Sequence, residues 1–137
     1  MAQQLEPTVI GFRATQLLKD QVLGIGSYGQ VCRARCDNLT CAAKILHQHL
    51  FDPNVQHRIA HKRTRIAPIR KFEQEIELLS VIKHPNIVQY LGLYYDPGTG
   101  IPVLLMELMD VSLTHFLERS PIRVPFHIQV NIVMIFP

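Results

Sequence analysis

The stretch Leu23-Gly24-Ile25-Gly26-Ser27-Tyr28-Gly29-Gln30-Val31 decides the fold, together with Cys41-Ala42-Ala43-Lys44 that follows it. Its glycines have the spacing G-x-G-x-x-G. This spacing lets backbone N–H groups approach phosphate oxygens, because no Cβ stands in the way. Lys44 adds a positive charge for the same phosphates. The two stretches together predict a nucleotide-binding site.

The same glycine pattern also occurs in dinucleotide-binding βαβ units, where a helix starts directly at the glycines. Here, Arg33 and Arg35 alternate with Cys32 and Ala34, which is typical of a strand with one covered face. We therefore expect a strand after the glycines. A dinucleotide-binding domain of an oxidoreductase is the less favoured alternative.

The composition fits one globular domain. The chain has 137 residues, of which 47% are hydrophobic, so a packed core is expected. The net charge of +3 is too small to predict binding to nucleic acid. The N-terminus does not resemble a signal peptide, and no apolar run reaches the ~18 residues that a membrane span needs. We therefore expect an intracellular, cytoplasmic chain.

The hydrophobic pattern predicts a sheet interrupted by one helix. Strands are expected over residues 16–24, 30–36, 40–46, 87–95 and 101–107. The helix is indicated by apolar residues spaced to share one face: Ile69, Phe72, Ile76 and Leu79. Pro68 suits its first turn, and Pro85 ends it. Ser112 is placed to cap a second, short helix, and residues 126–136 begin another apolar element.

Taken in order, these motifs resemble the protein kinase family. The matching segments are the glycine-rich loop at 23–31, the lysine strand at 41–44, the regulatory helix at 72–79, the turn at 84–88, the fifth strand and hinge at 105–109, and the helices of the larger lobe at 110–117 and from 126 onward. These motifs are similar to those of the tyrosine-kinase-like or tyrosine kinase branch of the family. The resemblance implies an α+β fold with a five-stranded antiparallel sheet and one regulatory helix, followed by the first helices of an incomplete large lobe.

The resemblance also divides the chain into parts. Residues 1–16 are expected to be a lead-in. Residues 17–109 would form the small lobe, with a basic insert at 47–70. Residues 110–137 would begin a helical large lobe that is truncated.

The resemblance implies a set of ATP-binding residues: Leu23, Gly24, Gly26, Ser27, Tyr28, Gly29, Val31, Ala42, Lys44, Met106, Glu107 and Met109. Amides of residues 26–29 would cover the β- and γ-phosphates, and Lys44 would hold the α- and β-phosphates. The adenine would lie in an apolar sandwich formed by Leu23, Val31, Ala42 and Met106. Backbone groups of Glu107 and Met109 would bind its edge, and Asp110 or Ser112 would reach the ribose.

Glu75 is the helix acid that we expect to pair with Lys44. It lies beside the apolar stripe of the predicted helix, whereas Glu73 and Glu77 share a more exposed face. The alternative is a surface pair between Glu75 and Lys71. Such a pair contributes only about 0.3–0.5 kcal/mol, so it gives little reason for an acid at this position.

The residues that perform phosphoryl transfer in kinases lie in the motifs His-Arg-Asp-x-x-x-x-Asn and Asp-Phe-Gly. The sequence contains neither motif. We therefore expect a fragment of a kinase that binds ATP but is inactive alone. A full-length relative would bind magnesium and transfer the γ-phosphate to protein Ser, Thr or Tyr. Besides ATP, the expected partners are protein substrates or a full-length kinase.

The sequence allows three other interpretations. A non-catalytic nucleotide-binding or interaction module would share the same loop and lysine. A zinc site would use Cys32, Cys36, Cys41, His47 and His49, but the sequence has no C-x-x-C pair, so no metal is expected. The basic insert is expected to be a solvated loop and not a nucleic-acid interface.

Overall fold

The computed structural model describes residues 14–52 and 67–119. Its elements in chain order are β1 (Thr15–Ile25), β2 (Gly29–Cys36), β3 (Leu39–Leu46), α1 (Ala67–Val81), β4 (Tyr90–Tyr95), β5 (Pro102–Glu107) and α2 (Leu113–Arg119). A short 3-10 helix, Gln48–Phe51, follows β3. Most of the predicted basic insert, the first residues of the lead-in and the apolar element at 126–136 lie outside the described residues.

The five strands form one antiparallel sheet in the order β1-β2-β3-β5-β4. The first three strands are a meander, as predicted from their turn signals. The chain then crosses through α1 before β4, and β5 returns to pair with β3, with Ala42 opposite Met106. The predicted α+β fold with a five-stranded antiparallel sheet is confirmed.

Alternation along the strands divides the buried residues into two clusters on the two faces of the sheet. On one face, α1 packs Phe72, Ile76 and Leu79 against sheet residues that include Ala42 and Met106. The opposite face has a cluster of small and aliphatic side chains: Cys32, Ala34, Cys36, Cys41, Ala43, Ile45, Val103 and Leu105. Because successive side chains of a strand point to opposite faces, Lys44 lies on the face that α1 covers.

The bounds of several elements differ from the prediction. Helix α1 begins at Ala67, so residues 67–70 belong to the helix and not to the basic insert, and it ends at Val81, ahead of Pro85. β1 begins at Thr15 within the predicted lead-in. β4 begins at Tyr90 and not at residue 87, because residues 84–87 form a turn in which the N–H of Ile87 donates to the carbonyl of His84 (3.1 Å).

An ion pair links the two edge strands of the sheet. The pairing of β1 with β2 is irregular between Leu18 and Val22, so Lys19 lies in this irregularity. Its Nζ is 2.7 Å from Oδ2 of Asp96, at the end of β4. Asp96 also accepts a hydrogen bond from the N–H of Gly98, and both bonds lower the pKa of its carboxyl. The pair therefore ties β1 to the β4–β5 turn.

The helices within residues 14–52 and 67–119 are too short or too polar to cross a membrane.

Candidate functional site

A lysine and a glutamate meet between β3 and α1. Nζ of Lys44 is 2.6 Å from Oε2 of Glu75, and each side chain is 18% exposed. Phe72, Ile76 and Leu79 hold α1 on the sheet, which places Glu75 beside the strand. Glu75 thus pairs with Lys44 and not with Lys71, which is exposed on the same helix.

The second oxygen of this carboxylate has a different environment. Oε1 of Glu75 is buried and has no hydrogen-bond partner within the described residues. An unpartnered buried acceptor costs about 1–3 kcal/mol. The site therefore offers an acceptor for a donor outside the described residues.

The glycines of the loop between β1 and β2 are not equivalent. A Cβ at Gly29 would lie 2.3 Å from the carbonyl oxygen of Ile45, so the close approach of β2 to β3 requires glycine there. A Cβ at Gly26 would meet nothing closer than 3.7 Å, and a Cβ at Gly24 would have no neighbour within 4 Å. The fold itself therefore requires only the last of these three glycines.

The hydrogen bonds of this loop correct one detail of the prediction. The N–H of Gly26 donates to the carbonyl of Gly29 (2.8 Å), so it is occupied and not available to a phosphate. In the described part of the chain, the N–H groups of Ser27 and Tyr28 have no partner. Both residues are exposed at the tip of the loop. The donors that the loop offers are therefore those of Ser27 and Tyr28.

His47, directly after β3, forms two hydrogen bonds with carbonyl groups of the loop. Its N–H donates to the carbonyl of Tyr28 (2.8 Å), and its Nε2 lies 3.1 Å from the carbonyl of Gly26. The ring stacks on His49, with centroids 5.6 Å apart. From the sequence, His47 is only a candidate metal ligand and the first residue of the basic insert. No pattern of residue types signals a contact to backbone carbonyls.

A small apolar surface lies beside Lys44 on the same face of the sheet. Val31, Ala42 and Met106 are on the neighbouring strands β2, β3 and β5, with Ala42 directly opposite Met106. Ala42 and Met106 are buried, and Val31 packs against their cluster. Leu23 and Met109, the other apolar residues predicted to bind ATP, are about half exposed, at 46% and 55%.

The groups at the end of β5 are partly engaged. The N–H of Glu107 donates to the carbonyl of Gln89 (3.0 Å), and its carboxylate accepts from the N–H of Gln89 (2.9 Å). The backbone N–H of Glu107 is therefore not free for an adenine, so only the carbonyl of Glu107 can take the predicted role. Ser112 accepts a hydrogen bond from the N–H of His115 (3.2 Å) at the start of α2. Asp110 is exposed.

The cysteines are buried in the sheet, away from this surface. The Sγ atoms of Cys36 and Cys41 are 2.9 Å apart, and burial raises the pKa of the Cys41 thiol. Among the residues that the structure describes, no group of three or more His, Cys, Asp or Glu side chains is arranged to bind a metal ion.

The dinucleotide-binding alternative is wrong. That motif requires a helix that starts at the glycines. The structure has strand β2 there, from Gly29 to Cys36, and it pairs antiparallel with both β1 and β3.

Comparison with known proteins agrees with this geometry. Residues 17–133 match the model of the protein kinase domain. The chain is 28% identical over 120 residues to the dual specificity protein kinase shkC of Dictyostelium discoideum. The aligned region covers 87% of the chain and 21% of that protein. It is also 33% identical over 92 residues to the probable serine/threonine-protein kinase kinY of the same organism. This aligned region covers 67% of the chain and 14% of that protein.

The chain thus spans only about a fifth or less of the length of these relatives. The match to the domain model nevertheless includes the glycine-rich loop, Lys44, Glu75 and β5 in a single alignment. The chain therefore belongs to the protein kinase domain family.

Proposed function

We propose that the chain binds ATP on the α1 side of its sheet, with the phosphates between the glycine-rich loop and Lys44. The observation that carries the proposal is the combination of an oriented cation with two unpartnered N–H groups on the adjacent hairpin. Nζ of Lys44 is fixed by Glu75 at 2.6 Å, and the amides of Ser27 and Tyr28 have no partner within the described residues.

The glycine loop supports a ligand on this side. A Cβ at Gly24 would meet nothing within 4 Å, and a Cβ at Gly26 would make only an ordinary contact at 3.7 Å, so the fold requires glycine at neither position. A glycine that the fold does not need is explained when a ligand must approach the backbone closely. Gly24 lies opposite Val31, and Val31 lies opposite Lys44, so the loop and the lysine face the same region.

The apolar surface beside Lys44 fits the base of the nucleotide. Val31 and Ala42 present small side chains on adjacent strands, and Met106 closes the surface from β5. A flat aromatic ring can pack on such a surface, and a residue larger than Ala42 would occupy the position that we propose for the ring. The carbonyl of Glu107 and the backbone of Met109 follow at its edge.

In a longer protein that contains this domain, we propose that the bound ATP donates its γ-phosphate to a Ser, Thr or Tyr side chain of a protein substrate. The names of the relatives, which include dual specificity and serine/threonine kinases, support this reaction class. Magnesium neutralises phosphate charge in such reactions. The sequence has no Asp-Phe-Gly motif, so we assign no residue of this chain to the metal.

The test is a titration of the purified chain with a fluorescent ATP analogue. We expect Lys44→Met to weaken binding at least tenfold, which corresponds to the loss of one charge-assisted contact. Lys71→Met is the matched control, because it removes the same charge from an exposed position on α1. Equal affinities for the wild type and Lys44→Met would contradict the proposal.

A further inference from the structure

We propose that His47 is a positioning residue that fixes the orientation of the peptide between Gly26 and Ser27, and that it thereby strengthens nucleotide binding. This role rests on the proposed ATP binding. His47 lies three residues after Lys44, at the point where the chain leaves β3. In this proposal, His47 acts on the loop and does not bind the nucleotide directly.

The two hydrogen bonds of His47 enclose the tip of the loop. Its N–H donates to the carbonyl of Tyr28 at 2.8 Å, and Nε2 lies 3.1 Å from the carbonyl of Gly26. A carbonyl oxygen can only accept, so Nε2 carries the hydrogen. Both the Nε2–H tautomer and the protonated ring can make this bond.

The geometry of a peptide unit links this bond to Ser27. In a trans peptide, the C=O and the following N–H point in opposite directions, and the described chain has no cis peptide. Because the carbonyl of Gly26 points at His47, the N–H of Ser27 points away from it. The side-chain bond therefore selects which face of the loop receives a donor.

Glycine makes this control necessary. Without a Cβ, Gly26 can rotate its peptide with little steric cost, and even a Cβ placed there would meet nothing closer than 3.7 Å. A rotated peptide would present a carbonyl oxygen where the phosphate needs a donor, and two oxygens repel each other. A bond to His47 removes this alternative before the ligand arrives, which lowers the entropy cost of binding.

His49 supports the ring of His47. The two rings stack with an interplanar angle of 21° and a centroid distance of 5.6 Å. Both residues flank the start of the 3-10 helix Gln48–Phe51. The stack limits rotation of the His47 ring, so Nε2 stays directed at the loop.

The experiment compares the wild type with three variants of the full 137-residue chain. His47→Phe keeps a ring that can stack but removes the donor, and His47→Gln restores a side-chain N–H. We expect His47→Phe to raise the Kd for a fluorescent ATP analogue about threefold to tenfold, as the loss of one modest hydrogen bond implies. His47→Gln should recover most of this loss, and His115→Phe, in exposed α2, should change nothing.

A second measurement on the nucleotide-free chain separates this role from ATP binding itself. Nitrogen-15 relaxation of the Ser27 amide should show an ordered backbone in the wild type and in His47→Gln, and greater mobility in His47→Phe. Equal mobility in all three forms, or a Kd for His47→Phe equal to that of the wild type, would overturn the inference. If the wild type binds no nucleotide but the His47→Phe variant still shows a more mobile Ser27 amide, the proposed ATP site is refuted. The role of His47 in ordering the loop is then retained.

Discussion

Nζ of Lys44 and Oε2 of Glu75 are 2.6 Å apart, although the two residues are 31 positions apart in the sequence. One side chain comes from the central strand of the sheet, and the other comes from the α-helix that packs on it. This ion pair can therefore form only when α1 packs against the sheet. It also fixes the position of the charge that we propose for the phosphates.

A double-mutant cycle should show coupling between these two residues. Each side chain is only 18% exposed, so removal of one partner leaves a charge that is poorly solvated. We expect Lys44→Met and Glu75→Gln each to lower the free energy of unfolding by about 1–3 kcal/mol. The double variant should lose clearly less than the sum. Urea unfolding measures this, and strict additivity would show that the pair does not form in solution.

Phe72 should be essential for the seating of α1. It is 1% exposed and packs against the sheet, so Phe72→Ala should cost about 3–5 kcal/mol of stability. Leu78→Ala is the matched control on the same helix, because Leu78 is 58% exposed and should cost less than about 0.5 kcal/mol. Thermal unfolding of both variants provides the comparison. Similar losses would mean that α1 packs through a different face.

Two glycines of the loop should respond differently to the same substitution. Gly29→Ala would place a Cβ 2.3 Å from the carbonyl of Ile45, and we expect it to destabilise the chain by about 2 kcal/mol or more. Gly24→Ala meets nothing within 4 Å, so its stability should stay within about 0.5 kcal/mol of the wild type. If Gly24→Ala nevertheless weakens binding of an ATP analogue, the open space at Gly24 serves the ligand. Unchanged affinity would argue against close approach of a phosphate there.

Acidification should remove the contribution of the Asp96 carboxylate. Hydrogen bonds from Lys19 and from the N–H of Gly98 lower its pKa in the folded chain. A lowered pKa means that the carboxylate stabilises the fold above its unfolded pKa of about 3.9, and that this stability is lost as the pH falls through the folded pKa.

We therefore expect Asp96→Asn to lower the free energy of unfolding at pH 7, by up to about 1 kcal/mol because Lys19 is half exposed. The difference from the wild type should shrink steadily below about pH 4. Asp110→Asn, at an exposed position, is the control. A difference that is the same at pH 3 and pH 7 would mean that the charge of Asp96 is not involved.

The 137-residue polypeptide should not transfer phosphate by itself. Its sequence contains neither His-Arg-Asp-x-x-x-x-Asn nor Asp-Phe-Gly, the motifs that orient the acceptor and hold the metal. We expect incorporation of radiolabelled phosphate from ATP into a general protein substrate to equal that of a blank without enzyme. Incorporation above the blank that Lys44→Met abolishes would overturn this prediction.

Much of the fold could be predicted because its signals are local. The 3-4-3 spacing of Ile69, Phe72, Ile76 and Leu79 indicates one helix face, and three of these residues are buried in the structure. The alternation through Arg33 and Arg35 predicts β2. The place of β5 between β3 and β4 has no local signal, because it depends on long-range pairing.

The site was less predictable in its hydrogen bonds than in its residues. Residue types and spacing single out the glycine loop, Lys44 and Glu75, but they do not show which N–H groups are occupied. The N–H groups of Gly26 and Glu107 form hydrogen bonds within the chain, and this is evident only from the folded structure. His47 was missed as a loop contact for the same reason, since its partners are backbone carbonyls that every residue has.

We propose that ATP binds against the glycine-rich loop and the face of β3 that carries Lys44. A titration of the nitrogen-15-labelled chain with ATP, followed by amide chemical shifts, tests it most directly. We expect the largest shifts at Ser27, Tyr28, Ala42 and Lys44, and none at the exposed Leu78 and Val81 of α1. Saturable shifts centred on α1, or no shifts at the loop and β3, would contradict it.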